Sequence, residues 1–347
     1  MTHIIPLSII FFSMFSSFLI AMIIAPGYIY FLVKNRIGKN IREEASFGGV
    51  AELFRKLHLK KEGTPTMGGI LIWGTSLFVV LFSRGLSYFG FISESLLDRG
   101  EVYLPLFTLT TMGLLGAIDD YLNIRGNKYK GLPVHPKMFF LLFFSLIGAC
   151  WFYFKLEYTS IFIPFVGNIE LGMWYIPLFI FIITGTANAV NITDGLDGLA
   201  GGLLIYGYGS FAILAYMSGL FNLATFCAVI IGGLLAFLWH NVPPAKFYMG
   251  DTGSLALGAT LGVIAMMTDF VFILPVVGFI FVIETLSVII QLISKKVRNG
   301  KKIFHIAPIH HHFEYIGWTE SQIVMRAWII GGFFTGIGII LGILSLN

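Results

Sequence analysis

Charge is what this chain of 347 residues lacks: 12% of its side chains are Asp, Glu, Lys or Arg, against about 25% in ordinary soluble domains. With 57% hydrophobic residues and a mean hydropathy of +0.87, a water-soluble globule is excluded. Cysteine is scarce too. Cys150 and Cys227 fall inside apolar runs, so they read as small buried hydrophobes, and no disulfide framework is expected. There is no repeat of fixed period. The longest polar gap, between Val33 and Met67, is too short for an inserted soluble domain. The start Met1-Thr2-His3 offers no basic stretch, and residues 4–33 carry no charged side chain. That run exceeds the apolar core of a secretory signal, so it reads as a retained helix. The net charge of +4 suits anionic lipid headgroups; nothing points to a nucleic-acid partner.

What the chain has instead is a succession of apolar runs of about twenty residues, each able to cross a bilayer. Ten spans are placed near 5–33, 67–84, 103–118, 138–154, 173–190, 199–217, 222–239, 253–268, 271–293 and 322–345. The third and eighth runs are short, and the ninth is long enough to tilt or break. The expected fold class is an all-α polytopic membrane protein of about ten transmembrane helices, with residues 1–347 forming one domain. Under this threading Arg84, Arg99 and Lys155 lie on one side, and the other 19 of the 22 Lys and Arg lie on the opposite side. The positive-inside rule makes the basic side cytoplasmic and puts both termini outside.

Five aspartates interrupt the apolar pattern, and all fall on the inner side: Asp119, Asp120, Asp194, Asp197 and Asp251. A carboxylate at the bilayer centre costs about 2.5–3.5 kcal/mol even on the lenient insertion scale. The five are therefore expected at one water-facing surface, around a cation. Asp119 and Asp120 close the third span, where the negative end of the helix dipole disfavours carboxylates. Adjacent helical residues point about 100° apart, so one can face a metal or substrate while the other accepts a hydrogen bond. Segment 188–198 gathers Asn188, Asn191, Thr193, Asp194 and Asp197 at a membrane boundary; Asp197 alone reads equally well as a helix N-cap. Asp251, between Gly250 and Thr252-Gly253, opens the eighth span. It reads as a cap, or as a hard-cation ligand beside a phosphate held at the helix N-terminus.

Four further places carry chemistry. Lys61 and Thr66, in segment 61–69, supply a cation and a hydroxyl to a polyanionic substrate. Lys137 reads as a lysine snorkelling to the interface or as a weaker candidate of the same kind. His310, His311 and His312 are adjacent and so poorly spaced to share one metal; hydrogen bonding to phosphates suits them better. Glu284, deep in the ninth span, is either a functional acid or a structural hydrogen-bond partner between helices.

Together these segments resemble the phospho-N-acetylmuramoyl-pentapeptide transferases, a branch of the polyprenyl-phosphate N-acetylhexosamine-1-phosphate transferase superfamily. Asp119-Asp120, segment 188–198 and Gly250-Asp251 look like the superfamily's shared signatures. Segments 63–69 and 308–313 look specific to the branch. The resemblance implies transfer of phospho-MurNAc-pentapeptide from UDP-MurNAc-pentapeptide to undecaprenyl phosphate, giving lipid I and UMP. It also implies Mg2+, a homodimer, and a site at the cytoplasmic face of the bacterial inner membrane with both termini periplasmic. By resemblance, Asp251 is the first metal ligand, and Asp119 and Asp120 position the metal or lipid phosphate, with Asp120 a proposed base. Lys61, Thr66, Asn188, Asn191, Asp194 and Asp197 line the uridine-diphosphate side. Lys137 matches an active-site lysine, and His310, His311 and His312 match the diphosphate contacts, with His310 catalytic. One departure is Asn123, where the family often has Lys; Lys128 and Lys130 stand nearby. The nearest rival is a transferase using UDP-GlcNAc, against which segments 63–69 and 308–313 argue. An ion-coupled transporter is a remote one, since only Glu284 is deep and the two halves show no similarity.

Overall fold

The computed structural model describes residues 4–38, 63–125 and 131–346. In chain order its helices are α1 (Ile4–Lys34), α2 (Gly69–Tyr88), α3 (Tyr103–Arg125), α4 (Val134–Cys150), α5 (Tyr175–Thr193), α6 (Leu199–Met217), α7 (Phe221–Asn241), α8 (Asp251–Met267), α9 (Leu274–Val277), α10 (Phe279–Val297), α11 (Ile309–Tyr315) and α12 (Glu320–Ser345). Eight of these, α1 to α7 and α12, are long and apolar enough to cross a membrane, α3 to α5 together with the short turns adjoining them. Their outward faces are greasy: Phe12, Ile23, Phe181, Trp239 and Phe333 are all exposed. So large an apolar exterior belongs against lipid. The protein is a mostly helical, multi-pass membrane protein.

The eighth and ninth runs behave differently from the rest. The eighth run becomes α8, 17 residues long, with every side from Thr252 to Met267 buried. A helix apolar all round is a core helix. α3 and α5 pack along it, with α2 and α6 adding smaller contacts. The ninth run is broken, as its length suggested: α9 begins with Pro275 in its first turn and ends at Gly278, from which α10 starts. α10 carries Glu284, Lys295 and Lys296 within its 19 residues.

The structure adds one element to the all-α reading and corrects two expectations. A short hairpin joins the helices. Ser160–Ile163 (β1) and Gly167–Glu170 (β2) form an antiparallel hairpin, with Ser160 opposite Glu170 and Ile163 opposite Gly167. The run Ile161-Phe162-Ile163 is β-branched and aromatic, which suits a strand. The hairpin is tied to the α8–α9 loop by Asp269 Oδ1, which accepts from the Phe162 amide at 3.1 Å. Next, Asp119 and Asp120 do not end their helix, because α3 continues to Arg125. Lastly, Asp197 caps nothing: α6 is preceded by Gly198 in the left-handed region and has no side-chain cap. Both cysteines are free thiols, as expected.

Candidate active site

Most of the described polar segments singled out in the sequence meet at one end of the bundle. The meeting depends on close helix approach. A Cβ at Gly116 would run into the carbonyl of Asp251, so α3 rests directly on the first turn of α8. Thr252 Oγ1 fixes the contact by donating to Gly113 O at 2.8 Å, and it accepts from Trp73 Nε1 of α2 at 3.1 Å.

One turn along α3 the two aspartates divide their work. Asp120 turns to α8: its Oδ1 accepts from the Asp251 amide at 3.2 Å and its Oδ2 from the Thr252 amide at 3.1 Å. A carboxylate thus meets two of the otherwise unpaired N–H groups at a positive helix end. Asp119 turns to α4. Its Oδ1 accepts from the Leu132 amide at 2.5 Å, and its Oδ2 lies 3.3 Å from Lys137 Nζ. The same ammonium meets Asp251 Oδ2. Lys137 therefore bridges two carboxylates, which decides against simple snorkelling.

From α5, Asn191 Nδ2 donates to Asp251 Oδ1 and to Ser254 Oγ, both at 2.8 Å. This fixes the rotamer of Asp251, whose side chain remains partly open to solvent. Thr66 is buried, its Oγ1 has no partner among the described residues, and a side chain at Gly250 would strike both it and Asp120. It therefore borders the turn that presents Asp251.

The other predicted residues sit apart from this group. Asn188 Nδ2 bonds back to Thr184 O at 2.8 Å. Asp197 is buried; its Oδ2 accepts from the Ala245 amide at 3.0 Å, and its own amide donates to Glu320 Oε1 at 2.7 Å. Asn241 completes that scaffold, accepting from Gly198 N and donating to Phe247 O, both at 2.9 Å. Neither Asn241 nor Glu320 was expected; a lone amide or acid at a helix end carries no distinguishing pattern. Asp194 follows the last residue of α5, half-buried, at the mouth of the same turn. His310 and His311 are buried in α11. His311 Nδ1 lies 2.6 Å from Glu314 Oε2, and His312 Nδ1 accepts from the His305 amide at 3.3 Å. Lys61, Lys128 and Lys130 lie outside the described residues.

The donor set fits a hard divalent cation in part. Among the described residues no three acidic, histidine or cysteine side chains gather into a metal-holding group; Asp120 is engaged with α8, leaving Asp119 and Asp251. Magnesium commonly takes one or two carboxylates with phosphate oxygens completing its shell, and those two carboxylates already converge on a positive group. Among the described residues, three carboxylates against one ammonium also leave the group net negative, which a polyanionic substrate would meet unfavourably without a further cation.

Sequence comparisons place the chain in a family. The family model described as Glycosyl transferase family 4 matches residues 102–269, the stretch that carries Asp119, Asp120, Asn191 and Asp251. Residues 61–72 match phospho-N-acetylmuramoyl-pentapeptide-transferase signature 1. A phospho-N-acetylmuramoyl-pentapeptide-transferase of Thermodesulfovibrio yellowstonii is 41% identical over 351 residues, covering 95% of this chain and 90% of its own length. The chain belongs to the phospho-N-acetylmuramoyl-pentapeptide-transferase family. Other members of this family are similarly close: one from Shouchella clausii is 42% identical over 332 residues, covering 94% of this chain and 95% of its own. One from a Geobacillus species is 41% identical over 328 residues, covering 93% and 94%.

Proposed function

We propose that this chain, as a single integral membrane domain, transfers phospho-MurNAc-pentapeptide from UDP-MurNAc-pentapeptide to undecaprenyl phosphate, giving undecaprenyl-diphospho-MurNAc-pentapeptide and UMP. The observation that carries the reading is the cluster of Asp119, Lys137, Asn191 and Asp251 at a polar mouth beside an apolar cleft. That cleft, about 430 Å³ in volume, runs between α5, α8, α9 and α10. Its lining includes Ala189 and Val190, next in the chain to Asn191. A polyprenyl tail lying there would bring its phosphate to the aspartates, while the nucleotide arrives from water.

In the reaction an oxygen of the lipid phosphate bonds to the β-phosphorus of the nucleotide sugar, and the bond from that phosphorus to the α–β bridging oxygen breaks. UMP leaves with that oxygen. The lipid phosphate is ionised near neutral pH, so no strong base is required and alignment with charge neutralisation is the main task. Lys137 brings positive charge to the reacting phosphates, and Asn191 holds Asp251 toward them. Asp251 and Asp119 would hold magnesium, which when bound neutralises charge on the diphosphate oxygens. Asp120 keeps α8 and Asp251 in place. The displacement is direct: the lipid phosphate is itself an ionised oxygen nucleophile, so no carboxylate has to carry the phosphoryl group. A trapped acid-labile phosphoenzyme would overturn this step.

Thr66 and Asp194 are assigned to the nucleotide side, Asn188 and Asp197 to the support of that wall, and His310 to His312 to the diphosphate; Lys61, outside the described residues, keeps its nucleotide-side role from the resemblance alone. The topology proposed is ten crossings, with α8 and α10 added to the eight long spans. Both termini then face the periplasm and the site faces the cytoplasm at the inner membrane. A homodimer is expected as well. The test is UMP release by detergent-purified protein given UDP-MurNAc-pentapeptide and undecaprenyl phosphate, with and without magnesium. Equal release from UDP-GlcNAc would refute the substrate assignment.

A further inference from the structure

α10 is built inside out. Its lipid-side residues Leu286, Ile289 and Ile293 are exposed, while Glu284, Ser287, Gln291 and Ser294 are buried. A buried polar stripe at helical spacing has to be matched by partners, and here most of it grips the segment leading into α11. Ser294 Oγ donates to Lys301 O at 2.8 Å. Gln291 Oε1 accepts from the Ile303 and Phe304 amides, both at 3.0 Å, and its Nε2 donates to Phe304 O at 2.7 Å. These ties hold backbone. Glu284 also holds a side chain: its Oε2 lies 2.9 Å from His310 Nδ1, as well as 3.4 Å from the His310 amide.

The other ring nitrogen is the informative one. His310 Nε2 is buried with no partner among the described residues, an unfavourable state for a polar atom. It faces Gly195, where a Cβ would strike it. Gly195 is itself exposed, between Asp194 and the Asp197 scaffold. A residue without a side chain therefore stands between this nitrogen and the exposed turn.

We propose that Glu284 is a positioning residue: it holds the Nδ1–H of His310, so that Nε2 stays aimed across Gly195 at a diphosphate oxygen of the bound nucleotide. The inference rests on the transferase reading above. A carboxylate behind an imidazole fixes its tautomer and orientation, and it is the counter-charge for the doubly protonated ring that donates from Nε2. Glu284 touches no substrate and acts only through His310.

The test is a double-mutant cycle on the full chain, with UMP release and thermal unfolding measured for wild type, Glu284→Gln, His310→Ala and the double variant. Glu284→Gln is expected to lower kcat on the order of 10- to 100-fold, the scale of partners behind a functional histidine, with KM for the nucleotide within about threefold and an unchanged melting temperature. In the His310→Ala background the same change should cost less than about twofold. Equal losses in both backgrounds, or wild-type turnover in His310→Ala, would overturn the proposal. If Glu284→Gln does not fold, 15N-histidine spectra of the wild type decide, with His310 assigned by difference from His310→Ala. The ring should carry Nδ1–H in the free protein and both protons once UDP-MurNAc-pentapeptide is bound; a neutral ring protonated on Nε2 in the free protein, or one still neutral with the nucleotide bound, sinks the idea. A wild type that releases no UMP defeats the transferase reading instead, and leaves the spectral test standing.

Discussion

Replacing Lys137 by Met removes the only described positive group between Asp119 and Asp251 while keeping much of its stem. Its magnitude follows from the geometry. At 3.3 Å and an effective dielectric constant of about 20, one ion pair is worth about 5 kcal/mol before desolvation. The second contact, to Asp251, adds to it. In the wild type the ammonium regains hydration on unfolding, and Lys137 and Asp251 are partly solvated although Asp119 is buried, so the net loss is about 2–4 kcal/mol. The two carboxylates are then left to repel each other unless one takes up a proton or a cation arrives. Magnesium should therefore rescue the variant. A ligand at about one hundred times its dissociation constant contributes about 2.7 kcal/mol, comparable with the loss. The assay is thermal unfolding of purified protein, followed by tryptophan fluorescence, across a magnesium titration. Lys137→Met should melt lower without the metal and gain more from it than wild type does. A variant as stable as wild type, or one with no larger magnesium response, would refute both the ion-pair argument and the assignment of Asp119 and Asp251 as metal ligands.

Asp120→Asn should lose about 1–3 kcal/mol of stability, since its amide nitrogen cannot accept from either α8 N–H; unlike Lys137→Met, it should not be rescued by magnesium, which a parallel titration checks. Gly116→Val should separate α3 from α8 and cost at least about 2 kcal/mol by overpacking, with turnover falling alongside the melting temperature. Burial pushes the Asp269 carboxyl above its ordinary range, outweighing the Phe162 amide bond. The folded protein then binds that proton more tightly than the unfolded chain, so stability falls as pH rises from the ordinary carboxylate range through the raised value. Asp269→Asn keeps an acceptor for Phe162 and suits the φ of 61° there. It should melt slightly higher at pH 7, and the gain should vanish near pH 4.

The helices and the polar mouth were legible because a membrane protein writes them in charge. Uncharged runs of about twenty residues have one economical fate in lipid, and carboxylates beside them have to converge. What stayed hidden was local and three-dimensional. The hairpin of β1 and β2 is fixed by Asp269, a residue about a hundred positions away; no short window contains both. α3 outran its apolar pattern because Asp119 and Asp120 find partners on α4 and α8, so their polarity no longer ends the helix. Asp197 looked like a cap by spacing alone, but Glu320 and Ala245 claim its amide and its carboxylate. The even reading of Glu284 between structure and function was not resolvable in sequence either, since its partner lies 26 positions on.

The placement of α8 explains why chemistry and fold are hard to separate here. A 17-residue helix buried on every side has a fixed axial position, so its first residue, Asp251, is located to within the tolerance of the core. α3 sets that position through the Gly116 approach and the Asp120 amide contacts, and α5 sets the side-chain rotamer through Asn191. The apolar cleft shares α5 and α8 with the site. A lipid tail seated in the cleft therefore packs on the same two helices that orient Asp251, and the cost of misplacing either helix falls on tail binding and phosphate alignment together. Truncated prenyl phosphates should accordingly lose kcat as well as raise KM. If a short-chain acceptor instead kept full kcat at saturation, the cleft would be an anchor with no part in alignment.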